Sequence, residues 1–473
     1  MTTGFQRWLV GWTALIALSG CAVGPNYRRP DAPASPQFRE AAGWTPSRPA
    51  DAIDKGAWWS MFHDAELDRL EQRVATSNQT VKQYEAAYRQ AHALTAEARA
   101  SFFPTIGATA GADRTHDPAT MGGGGSAART TYVGEVEASW VPDLWGKVRR
   151  TVESDKAAAQ ASAADLANAR LAAQASLAED YFALRILDEQ ARLYRDTVAD
   201  YRKFLSLTND QFEAGTQARA AVITAQTQLY GAQAALIDIG AKRAAMEHAI
   251  AVLVGVPPAG LTIAVAILDN TVPVAPAGIP STLLERRPDI AAAERRMASA
   301  NAQIGVAVAA YFPDLTLSGD YGTSASRLGS LLAAGTSLWS VGAQLVGTLF
   351  DFGARRARTR EARAYYDQTV ATYRQTVLTA FEGVEDQLSA LHTYEQEQEV
   401  LIRTEGAARE AVKLDLDQYK EGTVDYATVV QAQATASAAS QNVMTIFGER
   451  LQASVLLVED LGGGWSTQDL PQG

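Results

Sequence analysis

Residues 338–350 read Leu-Trp-Ser-Val-Gly-Ala-Gln-Leu-Val-Gly-Thr-Leu-Phe. No charge falls among them, and the uncharged run reaches back to Leu328. A helix crossing a bilayer needs about 20 predominantly apolar residues. This run instead contains Gly329, Gly335, Gly342 and Gly347 together with Ser337, Ser340, Gln344 and Thr348. Read with a period of two it separates: Trp339, Val341, Ala343, Leu345 and Leu349 oppose Ser340, Gly342, Gln344 and Thr348, the alternation of a strand. Residues 131–141 alternate likewise, with Tyr132, Val136, Ala138 and Trp140 against Thr131, Glu135, Glu137 and Ser139. Ile106, Ala108 and Ala110 oppose Thr105, Thr109 and Asp113, and Leu315, Leu317 and Tyr321 oppose Asp314, Thr316, Ser318 and Asp320. Stretches near ten residues with aromatics near their ends fit a transmembrane β-barrel. The candidate water-facing residues are then Asp113, Glu135, Glu137, Asp314, Asp320 and Gln344. A soluble hairpin with one buried side gives the same pattern and stays open as the alternative. A spanning helix over 328–350 leaves 131–141, with its two glutamates, unexplained.

These stretches belong to a tandem repeat. Phe102-Phe103-Pro104-Thr105-Ile106 returns as Tyr311-Phe312-Pro313-Asp314-Leu315, 209 residues later. Asp143-Leu144-Trp145-Gly146 returns as Asp351-Phe352-Gly353, 208 later, and Gln211-Phe212-Glu213-Ala214-Gly215-Thr216 as Gln418-Tyr419-Lys420-Glu421-Gly422-Thr423, 207 later. Glu85 aligns with Glu294. The first copy covers 56–256: a helix 64–101, strands 103–114 and 130–142, a long helix 146–212 and a return helix 217–254. A proline-rich linker, 257–280, precedes the second copy, 281–465: a helix 288–310, strands 312–322 and 338–351, a long helix 354–420 and a return helix 424–461. Residues 466–473 form a tail. The first long helix carries apolar residues at spacings of three and four, from Leu177, Tyr181 and Leu184 to Val198, Tyr201 and Phe212, as in a coiled coil.

Four strands per chain cannot close a barrel, and an open edge in lipid leaves backbone groups unpaired at several kcal/mol each. Spanning strands therefore require several copies. Eight strands enclose a filled interior, so an open conduit prefers at least three copies, hence twelve strands. The chain has 473 residues, 20% of them charged, and a net charge of -11. An acidic chain is a poor partner for nucleic acid. Five scattered histidines and one cysteine offer no metal-ligand spacing and no intrachain disulfide. No phosphate loop or nucleophile–base set appears, so neither a cofactor nor an enzymatic activity is expected.

At the start, Arg7 precedes an apolar run, Trp8–Leu18, ending in Leu18-Ser19-Gly20-Cys21. The run is too short to span but suits a secretory signal over 1–20, and the small residues before Cys21 resemble a bacterial lipobox. Acylation of Cys21 would anchor the chain, since each buried CH₂ adds roughly 0.8 kcal/mol of membrane affinity. Ala22 in the following position favours the outer membrane. Residues 21–55 hold six prolines and read as an extended segment.

Cys21-Ala22-Val23-Gly24-Pro25-Asn26-Tyr27, Leu284-Glu285-Arg286-Arg287-Pro288-Asp289-Ile290, Tyr311-Phe312-Pro313 and Leu349-Phe350-Asp351-Phe352-Gly353 together resemble the lipoprotein branch of the TolC-type outer-membrane efflux factors. The resemblance covers the mature chain. It implies a mainly α fold with a small transmembrane β part: a homotrimer whose twelve-stranded β-barrel continues into a long α-helical barrel crossing the periplasm. It implies a passive exit duct for drugs or small solutes, docked to a periplasmic adaptor (a membrane fusion protein) and an inner-membrane RND-type transporter. It places the periplasmic tip and adaptor contact at Gly215, Thr216, Gly422 and Thr423. Family members often carry aspartates on the return helix where this chain has Thr428 and Gln431, so the candidate gate is Tyr419, Asp425, Ala427, Thr428 and Gln431. A type I secretion duct and a lipid-anchored coiled-coil scaffold are the competing functions.

Overall fold

The computed structural model describes residues 22–33, 38–40, 57–117, 127–268, 272–273 and 286–471. The signal segment, Cys21, most of the proline-rich stretch, and Leu284 and Glu285 lie outside the described residues.

The elements run α1 (Ala65–Ser77), α2 (Gln79–Ala100), β1 (Thr105–Asp117), β2 (Ala127–Trp140), α3 (Lys147–Glu213), α4 (Arg219–Leu253), α5 (Pro288–Ala309), β3 (Asp314–Ala325), β4 (Ser337–Val346), α6 (Ala354–Lys420) and α7 (Tyr426–Asp460). The single helix expected over 64–101 is two helices. Asn78 breaks it: its side chain accepts from the Val81 N–H at 3.0 Å and its Nδ2 donates to the Leu253 carbonyl at 2.8 Å. The second bond satisfies a carbonyl at the end of α4 that lacks an intrahelical partner, a tertiary cause that local propensity does not carry. Asp64 caps α1, accepting from Glu66 and Leu67 N–H groups at 2.9 and 3.0 Å.

β1 to β4 form one antiparallel sheet in chain order. Residues 328–350 hold β4 and a single turn at Leu328–Ser330. Among the described residues no helix is long and apolar enough to cross a membrane. β4 ends at Val346, short of the expected 351, while β3 runs on to Ala325. The two hairpins share one register. Thr105 pairs with Ser139 and, 209 and 207 residues on, Asp314 pairs with Val346.

The main core lies where α1, α3, α4 and α7 meet, around Trp58, Leu67, Leu70, Leu177, Tyr181, Leu184, Ile250 and Leu457. α3 and α6 are each 67 residues long, about 100 Å at 1.5 Å per residue. Along α3, Leu177, Tyr181, Leu184, Ala191, Val198 and Tyr201 are buried, so the three-and-four stripe is a packing seam. Asp188 accepts from Arg185 at 3.1 Å and Arg243 at 2.6 Å, and those guanidinium groups donate to the Ala264 and Ile263 carbonyls at 2.6 and 2.7 Å. This buried network ties the start of the linker to α3 and α4.

Candidate conduit surfaces

The register gives the sheet two unlike faces, because directly paired residues share a side. Glu135 pairs with Thr109 and Gly322, Glu137 with Gly107 and Asp320, Asp320 with Ser340, Thr316 with Gln344, and Asp113 with Thr131. Asp113, Glu135, Glu137, Asp314, Asp320 and Gln344 therefore all lie on one face. It is bonded crosswise: the Thr109 hydroxyl donates to Glu135 at 3.2 Å, Ser340 donates to Asp320, and Lys147 lies 3.6 Å from Asp314. The opposite face carries Ile106, Val136, Leu345 and Val341, all exposed, with Trp339 73% exposed. A contiguous face of exposed apolar side chains marks an interaction or membrane surface. Tyr321 and Trp339 pair near one end of this face and Trp140 lies at the other, where aromatic girdles of a membrane barrel belong.

At the far end of the helices the two tips are built alike. Gly215 (φ 73) and Gly422 (φ 76) take the left-handed conformation that ends a helix without a Cβ penalty. The Thr216 and Thr423 hydroxyls each donate to a carbonyl in the last helical turn, Gln211 and Gln418, at 2.9 Å. No other heavy atom crowds either glycine, so backbone conformation, not space, requires them.

The candidate gate residues separate. Ala427, Thr428 and Gln431 are exposed on α7. Asp425 is the helix cap, accepting from the Thr428 N–H at 3.0 Å and its hydroxyl at 2.8 Å. Those bonds hold its carboxyl below the usual range. Tyr419 does not share their surface. It is buried among Ala225, Tyr426, Val429 and Val430, and its phenol donates to Gln211 Oε1 at 2.7 Å. It braces one helical hairpin against the other, a role that the residue's place beside the tip does not disclose.

Two further contacts escape a reading of the sequence. Arg287 of the Arg-Pro-Asp motif donates to Asp289 at 2.9 Å and to the Asp460 carboxylate at 2.8 Å, joining the start of α5 to the end of α7. Burial disfavours its charge, but the two carboxylates outweigh burial and raise its pKa. Burial, then Asp460 and Glu179, push nearby Glu459 up to about 7. The N-terminal segment is a strap. Val23 N–H donates to the Trp145 carbonyl at 3.1 Å, Arg150 donates to Asn26 at 2.8 Å, and the Tyr27 phenol donates to Glu294 at 2.5 Å. Arg29 then reaches the Tyr373 hydroxyl at 3.0 Å.

The family model for outer membrane efflux proteins matches residues 70–256 and 279–463, once per repeat. This chain belongs to that family. The toluene efflux pump outer membrane protein TtgC of Pseudomonas putida is 29% identical over 463 residues, covering 96% of this chain and 95% of that protein. The pyoverdine export outer membrane protein OpmQ of Pseudomonas aeruginosa is 32% identical over 471 residues, with 96% of each covered. The solved outer-membrane channel OprN superposes with a TM-score of 0.87 at 30% identity, over 94% of this chain and 100% of that one. As an outer membrane efflux protein, the chain is a duct in the outer membrane whose helices extend into the periplasm. Among its described residues, no group of three His, Cys, Asp or Glu side chains is placed to hold a metal ion.

Proposed function

We propose that three copies join their sheets into a twelve-stranded barrel that passes small organic solutes passively outward, fed by a periplasmic adaptor and an inner-membrane RND-type transporter. No catalysis is assigned to it. The observation that carries this reading is the two-faced sheet. One face offers a band of apolar side chains to its surroundings, with Arg114 and His116 beyond the band toward the outer end of β1, the other a cross-bonded acidic surface suited to water, and β1 and β4 are its two edges. Edges of that kind persist in lipid only when paired. The tips at Gly215, Thr216, Gly422 and Thr423 serve as the adaptor contact, and Ala427, Thr428 and Gln431, repeated around the threefold axis beside Asp425, form the narrowest ring. The names of relatives, toluene efflux for one and pyoverdine export for another, support small organic compounds as the kind of cargo. Purified protein is expected to run as three chains by native mass and to give discrete conductance steps in planar bilayers once opened. A single-chain mass with no conductance under any opening condition would overturn the duct.

We further propose that Cys21 carries acyl chains. Ala22 is packed onto Gly146, where a Cβ would come within 2.6 Å of the Ala22 Cα. Gly146 caps α3 just beyond β2, so Ala22 lies at the base of the sheet, at the level of the membrane surface. Cys21→Ser is expected to lose metabolic labelling by palmitate, and unchanged labelling would remove this claim.

A further inference from the structure

The repeat predicts a contact that no single chain can make. Within the chain, the second strand of the first copy pairs with the first strand of the second copy, β2 with β3. At the base of that seam, Trp145 stacks on Phe312 with ring centroids 4.8 Å apart, and its Nε1 donates to the Pro313 carbonyl at 2.8 Å. The hairpin registers relate β1 to β3 by 209 residues and β2 to β4 by 207. Applied to the β2–β3 seam, the same shifts turn it into a pairing of β4 with β1 of another copy.

We propose that β4 of one copy pairs antiparallel with β1 of the next in the register Gly342 with Asp113, Val346 with Thr109 and Trp339 with His116, closed at its base by Phe352 stacked on the next copy's Phe103. The proposal rests on the barrel reading above and fixes how its copies meet.

Three observations carry it. First, the transferred register keeps the faces. Even-numbered β4 residues and odd-numbered β1 residues both lie on the acidic face, and the transfer pairs even with odd throughout. A shift of one residue would put every side chain on the wrong side. Second, the sizes fit. In the β2–β3 seam Glu135 lies over Gly322, where a Cβ would come within 2.5 Å of the Glu135 Cβ. In the β4–β1 seam the corresponding pair is Gly342 with Asp113, a carboxylate again facing a glycine with the sides exchanged. Around Gly342 an added Cβ meets only the Ser318 hydroxyl of its own chain, at 3.2 Å, leaving its other side open. Third, the aromatic pair is present and unused. Phe352, which corresponds to Trp145, is 91% exposed, and Phe103, which corresponds to Phe312, is 71% exposed. Phe352 also holds a φ of 52°, a left-handed conformation costly for a bulky residue. Among the described residues its ring meets only the edge of Phe350, at 4.4 Å between centroids, and none stacks on its face. Because the two edges differ, the contact is head-to-tail and repeats until a ring closes.

The test uses the full-length protein in cell envelopes, with copper-phenanthroline and dioxygen as the oxidant. Paired cysteines Gly342→Cys with Asp113→Cys are expected to give reducible covalent trimers on denaturing gels. The pair Val346→Cys with Thr109→Cys, on different residues of the same seam, is expected to do the same. Gly342→Cys with Gly111→Cys or with Thr115→Cys keeps the face but slips the register by two residues, and at least tenfold less crosslinking is expected. Native mass is measured for each variant. Three-chain particles that crosslink in a slipped pair and not in the proposed ones would overturn the register while leaving the trimer. A native mass of one or two chains for the unsubstituted protein would overturn the barrel itself.

Discussion

Replacing Arg287 by alanine is expected to cost about 3–5 kcal/mol of stability, the penalty for leaving buried charges without their partner. Among the described residues, the guanidinium is the cation paired with Asp289 and Asp460, and it acts on neighbouring Glu459. Burial already raises the Asp460 carboxyl, and Arg287 is what restrains the rise. Without it the Asp460 and Glu459 carboxyls protonate at higher pH, so the variant recovers stability in acid. Its deficit in detergent-solubilised unfolding should therefore be larger at pH 8 than at pH 5. A deficit below about 1 kcal/mol, the range of an exposed pair, or one independent of pH would show that Arg287 does not hold this junction. Gly383 marks the same tightness from the other side: a Cβ there would lie 2.7 Å from the Asp460 carboxylate.

The sheet and the long helices were legible because their signals are periodic and appear twice. Alternation over 131–141 and 338–350 could be misread once, but a helix at either place contradicts its repeat partner. The tips were legible from Gly215 and Gly422, since few residues other than glycine end a helix in the left-handed conformation. What could not be read rests on distant pairs. Asn78 breaks a helix because Leu253 lies beside it, and Tyr419 is a brace because Gln211 is within reach. Neither partner is signalled by anything near it in sequence. The Phe352–Phe103 relation lies between these cases: both residues stood inside the quoted repeat motifs, but only the strand register and their exposure gave them a meaning.

Glu71→Gln is expected to stabilise the protein, increasingly so as pH rises. Glu71 is fully buried on α1, with neither carboxyl oxygen hydrogen-bonded. Burial, then the neighbouring Asp68, push its pKa from 4.5 to about 9. Unfolded, the group ionises near its ordinary value, whereas folded it keeps its proton to about pH 9. Between those values the folded chain binds more protons, so stability falls as pH rises, by about 1.4 kcal/mol for each pH unit. Glutamine has the shape of the protonated acid and cannot ionise. The variant and the unsubstituted protein should match below about pH 4.5 and diverge steadily up to pH 9. Parallel unfolding curves across that range would place the titration elsewhere. The burden is local to the junction of α1 with the core near Trp58, whose indole N–H is also without a partner.

The two long helices have 67 residues each and the two return helices 35 each. One residue inserted into any of them turns everything beyond it by about 100° and advances it 1.5 Å, which would swing that tip off its brace and out of level with the other. A seven-residue insertion nearly restores the orientation, with a drift of about 20°, and adds about 10 Å. Reach is thus quantised and held in common. A duct of this kind spans a wider gap between two membranes only by lengthening four helices together, in steps of about two turns.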